Sequence, residues 1–446
     1  MNKAASLVLL LSALVLTSCQ AMGLFHKEVP DVPAPTTIPL ATATRLPATT
    51  ATGVPPTPTM APASEPATEM PAPEVPTPKV PTSKTPPSTT PVEQVAPTRV
   101  VPPAEPIDLP PGFGISVFAE GLSGPRMMAA GPDNQVYVAE RGAGRILRLP
   151  DADRDGVADR VDVVADGLDQ PSSIAFYRDG SLIVGETRRV LRLRDPDGDG
   201  TFQEQETIID GLPSGGHNTR TVLFSPDWEH LFVSIGSSCN VCLEADEHRA
   251  TIMRYRPEGS EGEVYAKGLR NAVGITFRPG SDELWVTNNG RDWLGDDQPP
   301  ETVYVVDQGD DAGWPRCHAG RIVDPDYGGA GACEGVEEPV IEMQAHSAPL
   351  GLTFYTGEQF PETYRGDLFV AFHGSWNRTV PTGYKVVHVP LENGKPAPVR
   401  DFAAGWLRED GSQWGRPVDV LSSPDGSLLI SDDGAGFVYR VFYGEE

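Results

Sequence analysis

The sequence predicts an all-β protein: a six-bladed β-propeller preceded by a lipoprotein signal peptide and a disordered Pro/Thr-rich tether. Three observations lead there. A unit recurring every 44 to 60 residues begins at Gly121. Each copy is a set of short β-type runs broken by Asp-Gly or Pro-Asp turns. Almost no run has the 3.6-residue period of a helix, which leaves a ring of small sheets as the architecture such copies build.

The first element is an address. Lys3 supplies a positive start, Leu7 to Leu16 form an apolar stretch too short to span a bilayer, and Leu16-Thr17-Ser18-Cys19 ends it. Small residues before a cysteine read as a bacterial lipobox with Cys19 as the lipidated residue; an ordinary signal peptide with an incidental cysteine is the other reading. Residues 1–19 are thus the signal segment, and the chain is expected to be exported and anchored to a bacterial membrane by lipid, facing the extracytoplasmic side. No later run of 18 or more apolar residues occurs.

Residues 20–107 form the expected tether. Of 46 prolines in the chain, 22 lie between Pro30 and Pro106, where Phe, Tyr and Trp are absent. Such a stretch has too little apolar surface to bury a core. Extended at roughly 3.1 Å per residue it would reach on the order of 270 Å. The folded domain is then expected over 108–446. It carries 55 acidic and 29 basic residues of the chain's 62 and 35. A surface this negative would be repelled by a phosphate backbone, so nucleic acid is not an expected partner.

The copies follow in order. Gly121-Leu122 with Pro125 recurs as Gly167-Leu168 with Pro171, and Val138-Ala139-Glu140 as Val184-Gly185-Glu186. Arg145-Ile146-Leu147-Arg148-Leu149 recurs as Arg189-Val190-Leu191-Arg192-Leu193. Looser copies start near Gly211-Leu212, Gly268-Leu269, Pro349-Leu350 and Pro417-Val418, which makes six. The sixth ends in Gly436-Phe437-Val438-Tyr439-Arg440-Val441, and the early strand Ile115 to Phe118 is expected to close the ring against it.

In a propeller the innermost strand of each blade lines the axis, so residues just before it converge on one face. That position holds Arg126, Ser172, His217 with Arg220, Arg270 with Asn271, His346, and Arg416. Gathered cations need a partner. An anionic ligand on the axis is one; a neighbouring Asp or Glu for each arginine is the other.

Two acidic loops match calcium-binding spacing. Asp195, Asp197 and Asp199, then Gly200 and finally Glu206, fit D-x-D-x-D-G-x5-E in full. Asp151, Asp153 and Asp155 with Gly156 fit except for the last acid, where Asp162 stands. Both follow a Leu-Arg-Leu strand away from the convergent face. A structural Ca2+ is expected there, with a solvated acidic turn as the alternative. Beyond Cys19, the four cysteines Cys239, Cys242, Cys317 and Cys333 allow three pairings of two disulfides. The simplest joins Cys239 to Cys242 and Cys317 to Cys333.

Four segments together carry a resemblance: Leu212-Pro213-Ser214-Gly215-Gly216-His217-Asn218-Thr219-Arg220, Gly268-Leu269-Arg270-Asn271, Phe372-His373-Gly374-Ser375-Trp376-Asn377-Arg378, and Ser423-Pro424-Asp425-Gly426 through Asp433. The chain resembles the soluble quinoprotein sugar dehydrogenases, the glucose/sorbosone dehydrogenase family, over nearly all of 108–446. The His-Gly-Ser-Trp-Asn-Arg piece and the Cys-x-x-Cys look most like the sorbosone dehydrogenase branch. The resemblance implies a six-bladed propeller binding pyrroloquinoline quinone (PQQ), whose three carboxylates would partner the cationic ring. It implies His217 as catalytic base, and Arg270, Asn271 and Arg416 as cofactor contacts alongside Arg126 and Arg220 of the ring. Arg378 lies where the glucose enzymes carry a cofactor-contacting lysine. The carbonyls of Gly290 and Arg291 are the implied Ca2+ ligands beside the cofactor. In the glucose enzymes an acid orients the histidine; Ser237 stands there here, and Glu244 or Asp246 are the candidates to replace it. The expected activity is oxidation of an aldose or aldehyde sugar, with an unidentified electron acceptor. A Ca2+-dependent lactonase-type hydrolase and a non-catalytic glycan- or protein-binding propeller remain the alternatives, since fold alone does not assign function.

Overall fold

The structure is a computed structural model, and it describes residues 99–444. The expected signal segment, Cys19 and the expected tether up to residue 98 lie outside the described residues. Six four-stranded antiparallel sheets follow one another. Blade 1 is Pro125–Ala130, Val136–Glu140, Arg145–Leu149 and Asp162–Ala165, and blade 2 is Ser173–Phe176, Leu182–Gly185, Val190–Arg194 and Glu204–Ile209. Blade 3 is Val222–Phe224, Leu231–Ile235, Thr251–Tyr255 and Glu263–Lys267. Blade 4 is Ile275–Phe277, Leu284–Asn288, Glu301–Val306 and Ile341–Met343. Blade 5 is Pro349–Phe354, Leu368–Phe372, Lys385–Val389 and Arg400–Ala404. Blade 6 takes Pro417–Ser422, Leu428–Asp432 and Phe437–Tyr443 from the end of the chain and Phe113–Ala119 from its beginning.

That last pairing closes the ring as expected, with Ile115 opposite Val441 and Val117 opposite Tyr439. One Glu362–Tyr364 turn of 3-10 helix interrupts the all-β pattern. Among the described residues no helix is long and apolar enough to cross a membrane.

The second strand of each blade explains why the repeat reads as it does. Tyr137-Val138-Ala139, Leu231-Phe232-Val233, Leu284-Trp285-Val286 and Leu368-Phe369-Val370 are apolar without alternation, and they are buried along their whole length. A strand covered by a neighbouring blade on both faces has no solvent side to make polar. The outermost strand of blade 2, Glu204–Ile209, has that side and begins Glu-Gln-Glu-Thr. Between each pair of blades lies one apolar cluster. Blades 1 and 2 share Ala139, Ile146, Val184 and Leu191, and blades 6 and 1 share Val138, Leu147, Leu429 and Val438.

The inner strands leave a narrow axial cavity of about 280 Å3. Register shifts between Pro125 and Met128, Pro349 and Leu352, and Pro417 and Asp419 bend three of these strands. Bulges re-aim side chains, and the residues inside them, Met127, Leu350 and Val418, meet Val273 in an apolar plug on the axis.

The domain begins earlier than composition indicates. The Val117 N–H donates to the Val101 carbonyl, Asp108 bridges to Ala404, and Arg408 pairs with Glu105. Val101 and Ile107 pack on the blade 5/6 core. Residues 99–107, assigned to the tether by their prolines, therefore belong to the domain, because a Pro-rich segment without regular structure can still lay its few aliphatic side chains on a core. In that core Phe369 is fully buried among Tyr364, Phe402 and Phe360. Phe369→Ala is expected to cost about 3–5 kcal/mol, read as a lower denaturant midpoint with unchanged slope.

Candidate functional site

The N-terminal ends of the inner strands and the C-terminal ends of the second strands lie on one face, since the two run antiparallel. The acidic loops connect third to fourth strands and so lie on the opposite face. There Asp151, Asp153 and Asp155 bring carboxylate oxygens within 4.8 Å of one another, as do Asp195, Asp197 and Asp199. Glu206 does not join its cluster. It sits in the rim strand opposite Arg192 and pairs with Arg194 at 2.9 Å, while Gln203 reaches Asp197 and Asp199. The strand starts two residues before Glu206, so its pleat sets the side chain's direction rather than the loop.

On the convergent face His217 sits in the loop before blade 3. Its backbone N–H donates to the Ser237 carbonyl at 2.9 Å. Its Nδ1 lies 3.1 Å from that carbonyl and 2.9 Å from Ser237 Oγ. The Ser237 hydroxyl hydrogen is already given to the Cys239 carbonyl at 2.6 Å, so Oγ and the carbonyl both accept. Nδ1 therefore carries the proton, and Nε2 keeps a lone pair with no partner among the described residues. Burial, helped by the charges of Arg270 and Arg249, lowers the histidine to about 4. It is neutral at pH 7. Ser237 thus does the orienting itself. Glu244 instead accepts from Ser238, and Asp246 pairs with His248. Gly236 is required behind the ring, because a Cβ there would lie 2.5 Å from the His217 Cβ.

Two buried arginines hold the His217 loop. Arg220 donates to the carbonyls of Thr219 at 2.7 Å, His217 at 3.2 Å, and Pro213. Arg249 donates to Gly215 at 2.9 Å and Ser214 at 2.5 Å. Burial first, then the charges of Arg249 and Arg141, lowers Arg220 to about 10, which leaves it charged. Ser172, expected among the ring, is fully buried between blades, where its hydroxyl accepts the Arg220 N–H at 3.0 Å.

The remaining ring residues divide. Arg126 pairs with Asp433 at 2.7 Å. Arg416 donates to His373 Nδ1 at 2.9 Å, so His373 Nε2–H donates onward to Asp433 at 2.8 Å. Burial pushes Asp433 up, but the His373 bond and Arg126 overcome it and hold the carboxyl well below its usual range. Arg270 spreads over Asn240 O and Oδ1, both at 2.9 Å, and Asp292 at 3.0 Å. Asn271 donates to Asn289 Oδ1 at 3.2 Å. Arg378 is engaged by the blade 4 loop: it pairs with Asp297 at 3.0 Å and donates to the Asp296 carbonyl. His346 bonds to the Gly295 carbonyl at 2.8 Å. In the candidate Ca2+ loop the Gly290 N–H donates to Glu301 at 2.7 Å, and the Arg291 side chain is buried on Asp324 and Asp326. The nearby acids are thus engaged in building the loop.

Several functional candidates escaped the sequence reading: Arg141, Arg249, His373, Asp433 and Asp292. Three of these five, Arg141, His373 and Asp433, obey a rule available in the repeat. The residue after each second strand also reaches the convergent face, and there stand Arg141, Glu186, Gly236-Ser237, Asn289, His373 and Asp433. Among the described residues Arg141 has only neutral side-chain partners, Gln170 at 2.7 Å and Asn218 at 3.1 Å. With Arg126, Arg416, Gln170 and Asp433 it lines a cavity of about 460 Å3. Both disulfides, Cys239–Cys242 and Cys317–Cys333, are formed. The first closes the loop that presents the Cys239 and Asn240 carbonyls to Ser237 and Arg270.

A polycarboxylate fits this site. Among the described residues, Arg126, Arg141, Arg220, Arg249, Arg270 and Arg416 have only Asp292 and Asp433 as ion-pair partners. Buried Nε atoms of Arg126, Arg220 and Arg416 have no hydrogen-bond partner among the described residues. Such groups are costly to leave unpaired.

Residues 132–434 match the family described as "Domain of unknown function (DUF7133)". The chain is 36% identical over 232 residues to an uncharacterized protein of Borreliella burgdorferi, covering 51% of this chain and 61% of that one. It is 28% identical over 295 residues to a pyrroloquinoline quinone-dependent pyranose dehydrogenase of Coprinopsis cinerea, covering 50% of this chain and 39% of that one. The chain therefore spans less than two thirds of either relative. The calcium structure of a Trichoderma reesei carbohydrate-active enzyme of family AA12 superposes with a TM-score of 0.69 at 21% identity, over 78% of this chain and 98% of that one, a likeness of fold.

Proposed function

We propose, from the premise that this chain belongs to the DUF7133 domain family, that it is a PQQ-dependent dehydrogenase oxidising an aldose or aldehyde sugar. The observation that carries the proposal is a neutral His217 with an open Nε2 beside an arginine-lined cavity. The similarity to a quinone-dependent pyranose dehydrogenase supports the same reading. Arg126, Arg141 and Arg416 would hold the cofactor's carboxylates, and Arg270 and Asn271 its opposite side. The carbonyls of Gly290 and Arg291 would offer a Ca2+ hard oxygen ligands. When bound, PQQ supplies a hydride acceptor, so a sugar carbinol can become a carbonyl.

His217 takes the hydroxyl proton at Nε2, and Ser237 fixes the tautomer that makes this possible. Arg220 and Arg249 keep the loop from moving the imidazole. A hydrolase would want free carboxylates around a hub metal, whereas Asp433 and Asp292 here are held by Arg126 and Arg270. Export, lipidation at Cys19, and two structural Ca2+ ions in the Asp151 and Asp195 loops complete the proposal, with the acceptor a separate partner.

The test is reconstitution of the full chain with PQQ and Ca2+, followed by dye reduction with a sugar panel. A bound-quinone spectrum and sugar-dependent reduction are expected; failure of the quinone to bind would refute the proposal. The base also makes a pH prediction. Its charged form is disfavoured, so the imidazole of the cofactor-free protein should stay neutral as pH drops through the ordinary histidine value near 6.5. NMR titration of His217 should give a midpoint near the lowered value of about 4.

A further inference from the structure

The most exposed large apolar side chains among the described residues are Leu243 and Trp376, each 71% exposed, and Trp293 and Val380, each 67%. All four stand on three loops of the convergent face, around Asp292. Trp293 and Trp376 meet edge to face, with ring centroids 6.0 Å apart. Trp293 holds φ at 69°, a left-handed conformation that a bulky side chain rarely adopts. The two loops are tied together beneath the rings. Asn377 donates to Asp292 at 3.2 Å, the Thr379 N–H to Asp296 at 3.0 Å, and Arg378 to Asp297 at 3.0 Å. The pair is therefore a built feature, held in water at a cost in backbone strain.

We propose that the Trp293–Trp376 pair is a second carbohydrate subsite, stacking one pyranose ring of an oligosaccharide whose terminal ring lies at His217. The proposal rests on the dehydrogenase reading and extends it to a substrate class. A pyranose offers an apolar C–H face and a rim of hydroxyls. An indole face matches the first. Asn377, Asp297 and Arg378, on the same loops, match the second. Asp292 joins the two subsites: it precedes Trp293 and carries the Arg270 ion pair. A flat protein partner would bury more than two rings interleaved with charged groups.

Calorimetric titration of the full chain, with and without PQQ, tests this. The probes are maltotriose, cellotriose and xylotriose, with glucose and xylose as single-ring controls. At least one trisaccharide should bind about tenfold more tightly than its monosaccharide. Trp293→Ala and Trp376→Ala should each erase that difference, and Trp376→Phe should restore much of it. The ratio of trisaccharide to monosaccharide kcat/KM should fall in step. Equal affinity of every trisaccharide and its monosaccharide, or a preference that survives the double alanine variant, would overturn the subsite. If no sugar reduces dye but the trisaccharide preference persists, the redox reading falls and the subsite stands.

Discussion

His217→Ala is expected to lower sugar-dependent dye reduction by about a hundred- to ten-thousandfold while PQQ still binds. The separation follows from the geometry. The imidazole Nε2 has no partner among the described residues, and no arginine is hydrogen-bonded to the ring; Arg220 and Arg249 bind the loop carbonyls instead. His217→Gln should fail equally, since its amide can bond to Ser237 but offers no basic nitrogen. Retention of more than about a tenth of the rate in either variant would remove the histidine from the mechanism. Ser237→Ala makes a graded case. It removes one acceptor at Nδ1 but leaves the Ser237 carbonyl at 3.1 Å, so the tautomer is kept and the loss should be smaller.

The second large effect belongs to Arg270→Ala. The side chain is 6% exposed and bonds to two oxygens of Asn240 and to Asp292. Removing it leaves the partly buried Asp292 carboxylate without its cation, which costs up to about 3 kcal/mol, and the cofactor should no longer bind. Arg270→Lys does not restore a fork that reaches three acceptors at once. The combination of Arg270→Met with Asp292→Asn separates the two consequences. It should recover most of the denaturation midpoint and none of the quinone affinity. Recovery of quinone binding in that double variant would show that Arg270 serves the loop alone.

How much of this was legible depends on the range of each interaction. Strands, turns and blade count are written in short segments: an unbroken apolar run for a strand covered on both faces, Asp-Gly where the chain reverses. Closure was legible because Ile115 to Phe118 had no partner nearby. The hub positions before each inner strand follow from the repeat alone, and His217 and Arg270 were found that way. The residues after each second strand follow from the same repeat, yet Arg141, His373 and Asp433 were passed over because only the inner strand was counted.

What the chain determined by itself is therefore the ring, its closure, the convergent face and the placing of His217 on it, all consequences of periodicity and local turn chemistry; the role of that histidine as base comes from the resemblance. Tertiary structure alone decided which cations stay open. Arg126 meets Asp433 across 307 positions, Arg378 turns to Asp297 and Glu206 to Arg194, whereas among the described residues the Arg141 side chain meets only amides. Charge pairing falls off within a few ångströms, and linear spacing carries no distance between blades that touch only once the ring is shut.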